Sequence, residues 1–184
     1  MGRGGAVLLR DVGHALRARI MAPMATRVAR LVQEGGLDPG AAEWAIKQSD
    51  RERAARMRYL YDVNWTDPDL YHLTLNTGAL SPEMAVEVLV DTVGLPVFQP
   101  TAESVQVLQD LALAARVEIA LLTDLRMATL ALTVRVHRGH VTLKGMVDRA
   151  LPQTLLRETA ARVPGVEQVT LELTFMPPTR TVVL

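Results

Sequence analysis

Two prolines within the stretch 95–102 divide this sequence into two parts with different patterns of apolar residues. Because proline removes a backbone donor and the stretch shows no helical period, we predict a linker here. A chain of 184 residues is long enough for one large domain or two small ones, and the linker favours two. We therefore predict domains at 1–98 and 99–176, followed by a C-terminal tail at 177–184.

The first part alternates short strand patterns with helical ones. Apolar and polar residues alternate over 15–21, and shorter strand candidates occupy 6–9 and 71–75. Asp38 and Ser81 stand where helix N-caps are expected, each followed directly by proline. Strands alternating with helices are typical of a parallel sheet covered on both faces. The expected fold of this part is α/β.

The second part has a helix, strand, strand, helix, strand order. A helical period covers 103–122. Alternating strands, the first of which begins at Leu130, lie on either side of Arg138-Gly139 and predict a hairpin with a tight turn. A further helix has one apolar face, formed by Leu151, Leu155, Leu156 and Val163, and a last strand follows over 169–175. These patterns predict an α+β (αββαβ) domain whose three-stranded sheet has one solvated face.

Composition excludes several classes of function. Without cysteine, the chain has no disulfide, thiolate zinc site or cysteine nucleophile. Twenty basic and twenty acidic side chains give no net charge, and aromatic residues are only 4%, so we predict no nucleic-acid partner. The most apolar stretch is interrupted by charges, and the N-terminal apolar run is too short for a signal peptide. We predict a cytoplasmic location.

Arginine is concentrated on two of the predicted helices of the first part. Clustered guanidinium groups suit the several oxygens of a polyphosphate, whereas the alternative is a solvated helix surface with weak ion pairs. Asp50 lies within one turn of Arg53 and would hold that arginine or a ligand hydroxyl. The candidate cluster is Arg27, Arg30, Arg51, Arg53 and Arg56.

Two further constellations carry alternative interpretations. Gly2-Arg3-Gly4-Gly5 would let backbone N–H groups and the fork of Arg3 approach an anion, or is a frayed terminus. The second constellation is Asp67, Asp69 and His72. These side chains would bind Mg²⁺ or move a proton; the alternative is a local turn beside a surface histidine.

His137 and His140 flank the predicted hairpin turn and are interpreted as surface residues. No Gly-x-x-x-x-Gly-Lys-[Ser/Thr] motif occurs in the 184 residues.

These features together resemble the cytidylate kinase-like family, relatives of bacterial CMP kinases, from residue 2 to about residue 93. The resemblance rests on Gly-Arg-Gly-Gly at 2–5, Ala22-Pro23 before Arg27, Asp50-x-x-Arg53, and Trp-Thr-Asp-Pro-Asp-Leu-Tyr-His-Leu-Thr-Leu-Asn-Thr-Gly at 65–78. The last stretch is the most specific. Two departures are Asn64, where the family pattern has aspartate, and Gly4, where CMP kinases themselves have aspartate.

The resemblance implies ATP-dependent phosphoryl transfer to a nucleoside monophosphate, with Mg²⁺. Arg3 would hold the acceptor phosphate, Arg27, Arg53 and Arg56 would surround the transferred group, and Asp50 would lie in the lid helix. Because this sequence begins at the Gly-Arg signature, we expect a truncated P-loop kinase-like sheet. We then expect no tight binding of ATP or Mg²⁺, no phosphoryl transfer, no catalytic residue, and weak binding of a nucleoside monophosphate or other phosphate anion.

The second part, from about residue 116 to 175, resembles a BON domain. The features are the strand 133–137, Gly139, Val141-x-Leu143-x-Gly145, and Val-Pro-Gly-Val at 163–166. BON domains are small binding modules, so the resemblance implies a protein or phospholipid partner. The alternative function is therefore a non-catalytic binding or regulatory module that acts through this domain. A shortened sheet also has unpaired strand edges, which can pair with a second copy of the chain, so a homo-oligomer is a further expectation.

Overall fold

The computed structural model describes residues 4–124, 127, 131–147 and 152–175. The chain divides into two compact units, Met1–Thr101 and Ala102–Leu184. None of the described helices is both long enough and apolar enough to cross a lipid bilayer.

The first unit is a two-stranded sheet with helices. Its strands are β1 (Ala18–Met21) and β2 (Leu73–Asn76). Two 3-10 turns, Pro68–Leu70 and Pro96–Phe98, lie in its connections. The helices are α1 (Gly5–Leu8), α2 (Met24–Gly35), α3 (Pro39–Tyr61) and α4 (Pro82–Val93).

The ends of these helices follow from local chemistry. The side chain of Asp38 accepts hydrogen bonds from the backbone N–H groups of Gly40 and Ala41, which would otherwise have no partner at the start of α3. The hydroxyl of Ser81 accepts from the backbone N–H of Met84 in the same way. Gly36 ends α2 with a φ of 63°, a left-handed conformation that glycine adopts without strain. The predicted caps are therefore confirmed.

β1 and β2 pair in parallel, from Ala18 opposite Leu73 to Met21 opposite Asn76. Their carboxyl ends therefore meet at one edge, where the backbone N–H of Thr77 donates to the carbonyl of Met21 at 2.8 Å. Gly78 follows at once, and a Cβ atom there would lie 2.4 Å from Cδ of Pro23. Only glycine allows the chain after β2 to approach the start of α2 this closely.

The prediction of a strand at 6–9 is wrong, because this segment belongs to the short helix α1. The backbone N–H groups of Leu8 and Leu9 donate to the carbonyls of Gly4 and Gly5, which is the i to i−4 pattern of an α-helix. Alanine and leucine are good helix formers, and a four-residue apolar run has no period that separates strand from helix.

The second unit has the predicted αββαβ order. Its sheet order is β3-β4-β5, with β3 antiparallel to β4 and β4 parallel to β5. The predicted helix residue Leu151 and strand residue Leu130 lie outside the described residues. The elements are α5 (Ala102–Thr123), β3 (Leu132–His137), β4 (His140–Val147), α6 (Gln153–Ala161) and β5 (Gln168–Phe175).

One apolar core holds this unit together. Val117 of α5, Leu143 of β4 and Leu156 of α6 are completely buried within it. The hairpin turn has φ of 47° at Arg138 and 79° at Gly139, so both central residues are left-handed, as in a tight two-residue hairpin loop. The buried carboxylate of Asp110 accepts the backbone N–H of Arg138 at 2.9 Å and fixes the turn to α5.

Candidate phosphate site

A pocket of about 390 Å³ opens at the carboxyl end of the parallel strands in the first unit. Ligands of open parallel sheets bind in this position, because the strand ends and the following helix starts meet there. The lining comes from both strand ends, from α2 and α3, and from the loop before β2. It consists of Arg19, Ile20, Met21, Ala22, Arg27, Arg30, Asp50, Arg53, Trp65, Thr66 and Thr77.

The pocket has a strong excess of positive charge. Four of its lining residues are arginines, whereas Asp50 is its one carboxylate among the residues that the structure describes. Guanidinium groups are planar forks of N–H donors that match the oxygens of phosphate. The arrangement therefore favours an anion with several oxygens.

Arg27 and Asp50 form a two-pronged ion pair between α2 and α3. Nη1 of Arg27 donates to Oδ2 of Asp50 at 2.6 Å, and Nη2 donates to Oδ1 at 2.9 Å. The hydrogen bonds from Arg27 hold the pKa of Asp50 below its ordinary value, against the opposing effect of burial. The charges of Arg27, Arg53 and Arg19 lower that pKa further. Asp50 is therefore ionised at neutral pH and cannot act as a proton donor there.

Arg30 is fixed against the end of β2. Its Nη1 donates to the hydroxyl of Thr77 at 3.0 Å, and its Nη2 donates to the Thr77 carbonyl at 2.6 Å. The hydroxyl of Thr77 also donates to the carbonyl of Met21 at 3.2 Å. These bonds place one guanidinium group at the pocket without neutralising its charge.

Arg19 and Arg53 meet at the indole of Trp65. The guanidinium carbon of Arg19 lies 5.0 Å from the centroid of the Trp65 ring, and that of Arg53 lies 4.8 Å from it. Nη1 of Arg19 also donates to the carbonyl of Thr66 at 3.0 Å. The Nε atoms of both arginines are buried and have no hydrogen-bond partner among the described residues. Two cations from different elements thus share one aromatic ring.

The structure brings together three of the five predicted site residues. Arg27, Asp50 and Arg53 line the pocket, whereas Arg56, one turn further along α3, is exposed and is not among the lining residues. Arg3 lies outside the described residues. The roles predicted for all five remain proposals.

Arg19 and Trp65 are lining residues that sequence reasoning did not assign to binding. Arg19 lies in a strand, and the polar residues of an alternating strand pattern are expected to face solvent. The signal for Trp65 was its place at the start of the most specific motif, which had no chemical interpretation. Arg30 belonged to the predicted arginine cluster, and the pocket includes it.

The carboxylates and histidine before β2 have local contacts. Asp67 accepts the backbone N–H of Asp69 at 3.0 Å, which is a turn interaction. The backbone N–H of Arg17 donates to Nδ1 of His72 at 3.2 Å, and Nη2 of Arg17 lies 2.9 Å from its Nε2. Burial and then the charge of Arg17 lower the pKa of His72. Among the described residues, no group of three or more His, Asp or Glu side chains is arranged to hold a metal ion.

The pocket does not fit Mg²⁺, which the family resemblance implied as a partner of ATP. Mg²⁺ takes carboxylate, phosphate and water oxygens as ligands. Both carboxylate oxygens of Asp50 accept hydrogen bonds from Arg27, and the other charged lining residues that the structure describes are cations. The guanidinium groups suit phosphate oxygens themselves, without a metal ion between them.

The first unit is thus an α/β structure with an arginine-lined pocket at the end of its parallel sheet. The model of the cytidylate kinase-like family matches residues 1–79, and the model of the BON domain matches residues 109–177. The chain therefore carries a cytidylate kinase-like region followed by a BON domain, in the order that the motifs predicted.

A curated relative is the uronate isomerase of Corynebacterium glutamicum, which is 34% identical over 92 residues. The match covers 50% of this chain and 18% of that protein. The chain thus spans less than a fifth of that relative's length.

Proposed function

We propose that residues 1–98 form a phosphate-anion-binding domain, with a nucleoside monophosphate or similar phosphate as ligand, joined to a BON-like domain at 99–176. The observation that carries the proposal is the convergence of four guanidinium groups on one pocket with a single, already paired carboxylate. The match to the cytidylate kinase-like family supports a nucleotide as the source of the phosphate.

The arginines differ in how free they are to bind. Arg27 is paired with Asp50, which neutralises its charge, whereas Arg30 is held by the uncharged Thr77 and keeps its positive charge at the pocket. Arg53 contacts the ring of Trp65 through the face of its guanidinium group. This contact does not use the N–H donors at Nη1 and Nη2. We propose Arg53 as the main direct ligand of the anion, with Arg19 beside it. Arg3 and Arg56 are proposed only as secondary contacts.

We further propose that this chain does not transfer a phosphoryl group. Such transfer depends on a phosphate cradle with its lysine and on metal ions that neutralise developing charge. The 184 residues contain no Gly-x-x-x-x-Gly-Lys-[Ser/Thr] motif, and Asp50 is occupied by Arg27. ATP and Mg²⁺ are accordingly not expected to bind tightly.

Binding without turnover is the expected result for the wild-type chain. Isothermal titration with CMP and with pyrophosphate should give saturable binding, and cytidine, which lacks phosphate, should give none. A coupled assay with ATP, Mg²⁺ and CMP, dCMP, UMP or AMP should show no turnover. Turnover on the order of 1 s⁻¹, the low end for kinases, would contradict the second part of the proposal. Equal binding of cytidine and CMP would contradict the first.

The alternative proposal is a binding or regulatory module that acts through the second unit on a protein or phospholipid. The observation that favours it is a separate pocket of about 490 Å³ beside the hairpin turn. Arg116 and Arg138 line it together with Asp110 and Glu167, so its charges are balanced rather than mainly positive. That balance favours a ligand with both charges or polar groups, in contrast to the arginine pocket of the first unit.

A further inference from the structure

Trp65 connects three separate elements at the arginine pocket. Arg19 comes from β1, Arg53 comes from α3, and Trp65 itself lies in the loop between α3 and β2. The two guanidinium carbons lie 5.0 and 4.8 Å from the centroid of its ring. The contact of a guanidinium group with an indole is attractive, because the cation interacts with the negative face of the ring.

The arginines need such a partner whenever the pocket has no anion. Like charges that converge on one pocket repel each other, and the carboxylate of Asp50 already pairs with Arg27. Arg19 and Arg53 also keep their Nε atoms buried without hydrogen-bond partners among the described residues, which is unfavourable for each group. An indole ring that both cations contact offsets part of this cost and holds them in place before a ligand arrives.

The loop in turn fixes Trp65. The hydroxyl of Tyr71 donates to the carbonyl of Trp65 at 2.8 Å. Oδ1 of Asn64 accepts from the backbone N–H of Thr66 at 3.1 Å and from its hydroxyl at 2.8 Å. The residues on both sides of the tryptophan are therefore held by side-chain bonds, and Thr66 is also the acceptor for Arg19. A side chain supported in this way is suited to positioning others.

We propose that Trp65 is a positioning residue of the phosphate site, which sets Arg19 and Arg53 in their binding geometry through its aromatic face. This inference rests on the proposed phosphate-binding function and adds to it the residue that preorganises the site. A ligand binds more tightly when the side chains that contact it are already in place, because binding then costs less conformational entropy. Loss of the aromatic face should therefore weaken anion binding while the fold is retained.

Phenylalanine and leucine at position 65 separate this role from simple packing. Both are apolar, but only phenylalanine offers an aromatic face to the two guanidinium groups. We expect Trp65→Leu to weaken pyrophosphate binding about 10-fold, and Trp65→Phe to weaken it less than about 3-fold, from the usual strength of guanidinium–ring contacts. Trp44→Leu is the matched control, because Trp44 is the other tryptophan of the chain and is 69% exposed on α3.

The experiment is titration calorimetry of pyrophosphate into the wild-type chain and these three variants, with circular dichroism as the measure of folding. The proposal predicts that the wild type, Trp44→Leu and Trp65→Phe all bind pyrophosphate more tightly than Trp65→Leu does, and that all four chains are folded. Equal affinities for the phenylalanine and leucine variants would overturn it while leaving the phosphate site intact. Loss of folding in both position-65 variants would also overturn it, because the ring would then be holding the fold. If the wild type does not bind, the proposed function fails and this inference fails with it.

Discussion

Replacing Arg53 by alanine is expected to weaken the affinity for pyrophosphate and CMP by about 10- to 100-fold, the range for losing hydrogen bonds to a charged group. Arg53 is the candidate direct ligand because its ring contact with Trp65 leaves donors at the pocket, whereas Arg27 and Arg30 are engaged by Asp50 and Thr77. Calorimetric titration of both anions measures the effect.

The control for this variant is Arg58→Ala. Arg58 lies on the same helix, its side chain is 69% exposed, and it is not among the lining residues of the pocket. Arg58→Ala removes the same charge from α3 as Arg53→Ala does, so any loss of affinity that is due to net charge alone appears in both variants. Equal losses for Arg53→Ala and Arg58→Ala would show that the arginine pocket does not bind the anion directly.

Replacing Leu143 by alanine is expected to lower the free energy of unfolding of the second unit by about 2–5 kcal/mol, the usual range for truncating a buried leucine. Leu143 is completely buried at the centre of β4, between the other two strands, and belongs to the core that α5 and α6 cover. Truncation removes its contacts and leaves a cavity among residues whose backbones the sheet holds in place. Urea unfolding of the full chain measures the change.

Lys144→Ala is the matched control on the neighbouring position. Its side chain is 64% exposed, and its contact with Glu172 at 3.8 Å is a surface ion pair of little energetic weight. We expect its unfolding free energy to change by less than about 0.5 kcal/mol, as is usual for surface substitutions. A small effect of Leu143→Ala, similar to that of the control, would contradict the described core of the BON domain.

Elements whose signals are local were predictable from the sequence. Asp38 and Ser81 cap helices through bonds to residues two or three positions away, and Arg138-Gly139 forms a turn set by its own φ angles. The αββαβ order also followed from alternation and helical period. The segment 6–9 failed because four apolar residues fit both a strand and the helix that forms there.

The candidate site was predictable only in part, because its geometry depends on contacts between distant residues. Arg27, Asp50 and Arg53 were identified from clustering and from the family motif, and they do line one pocket. Arg19 and Trp65 are far apart in the sequence, and only the parallel pairing of β1 with β2 brings the loop before β2 to Arg19. A pattern within one element cannot reveal such a contact.

The most direct test of phosphate binding at the arginine pocket is an NMR titration of the full-length chain with pyrophosphate, which follows backbone amides, arginine Nε–H groups and tryptophan indole N–H groups. We predict saturable shifts at Arg19, Arg53 and Trp65, and in the backbone around Thr77, with Trp44 and Arg58 unchanged. Shifts confined to Arg116 and Arg138 of the second unit, or no saturable shift anywhere, would contradict a phosphate site in the first unit.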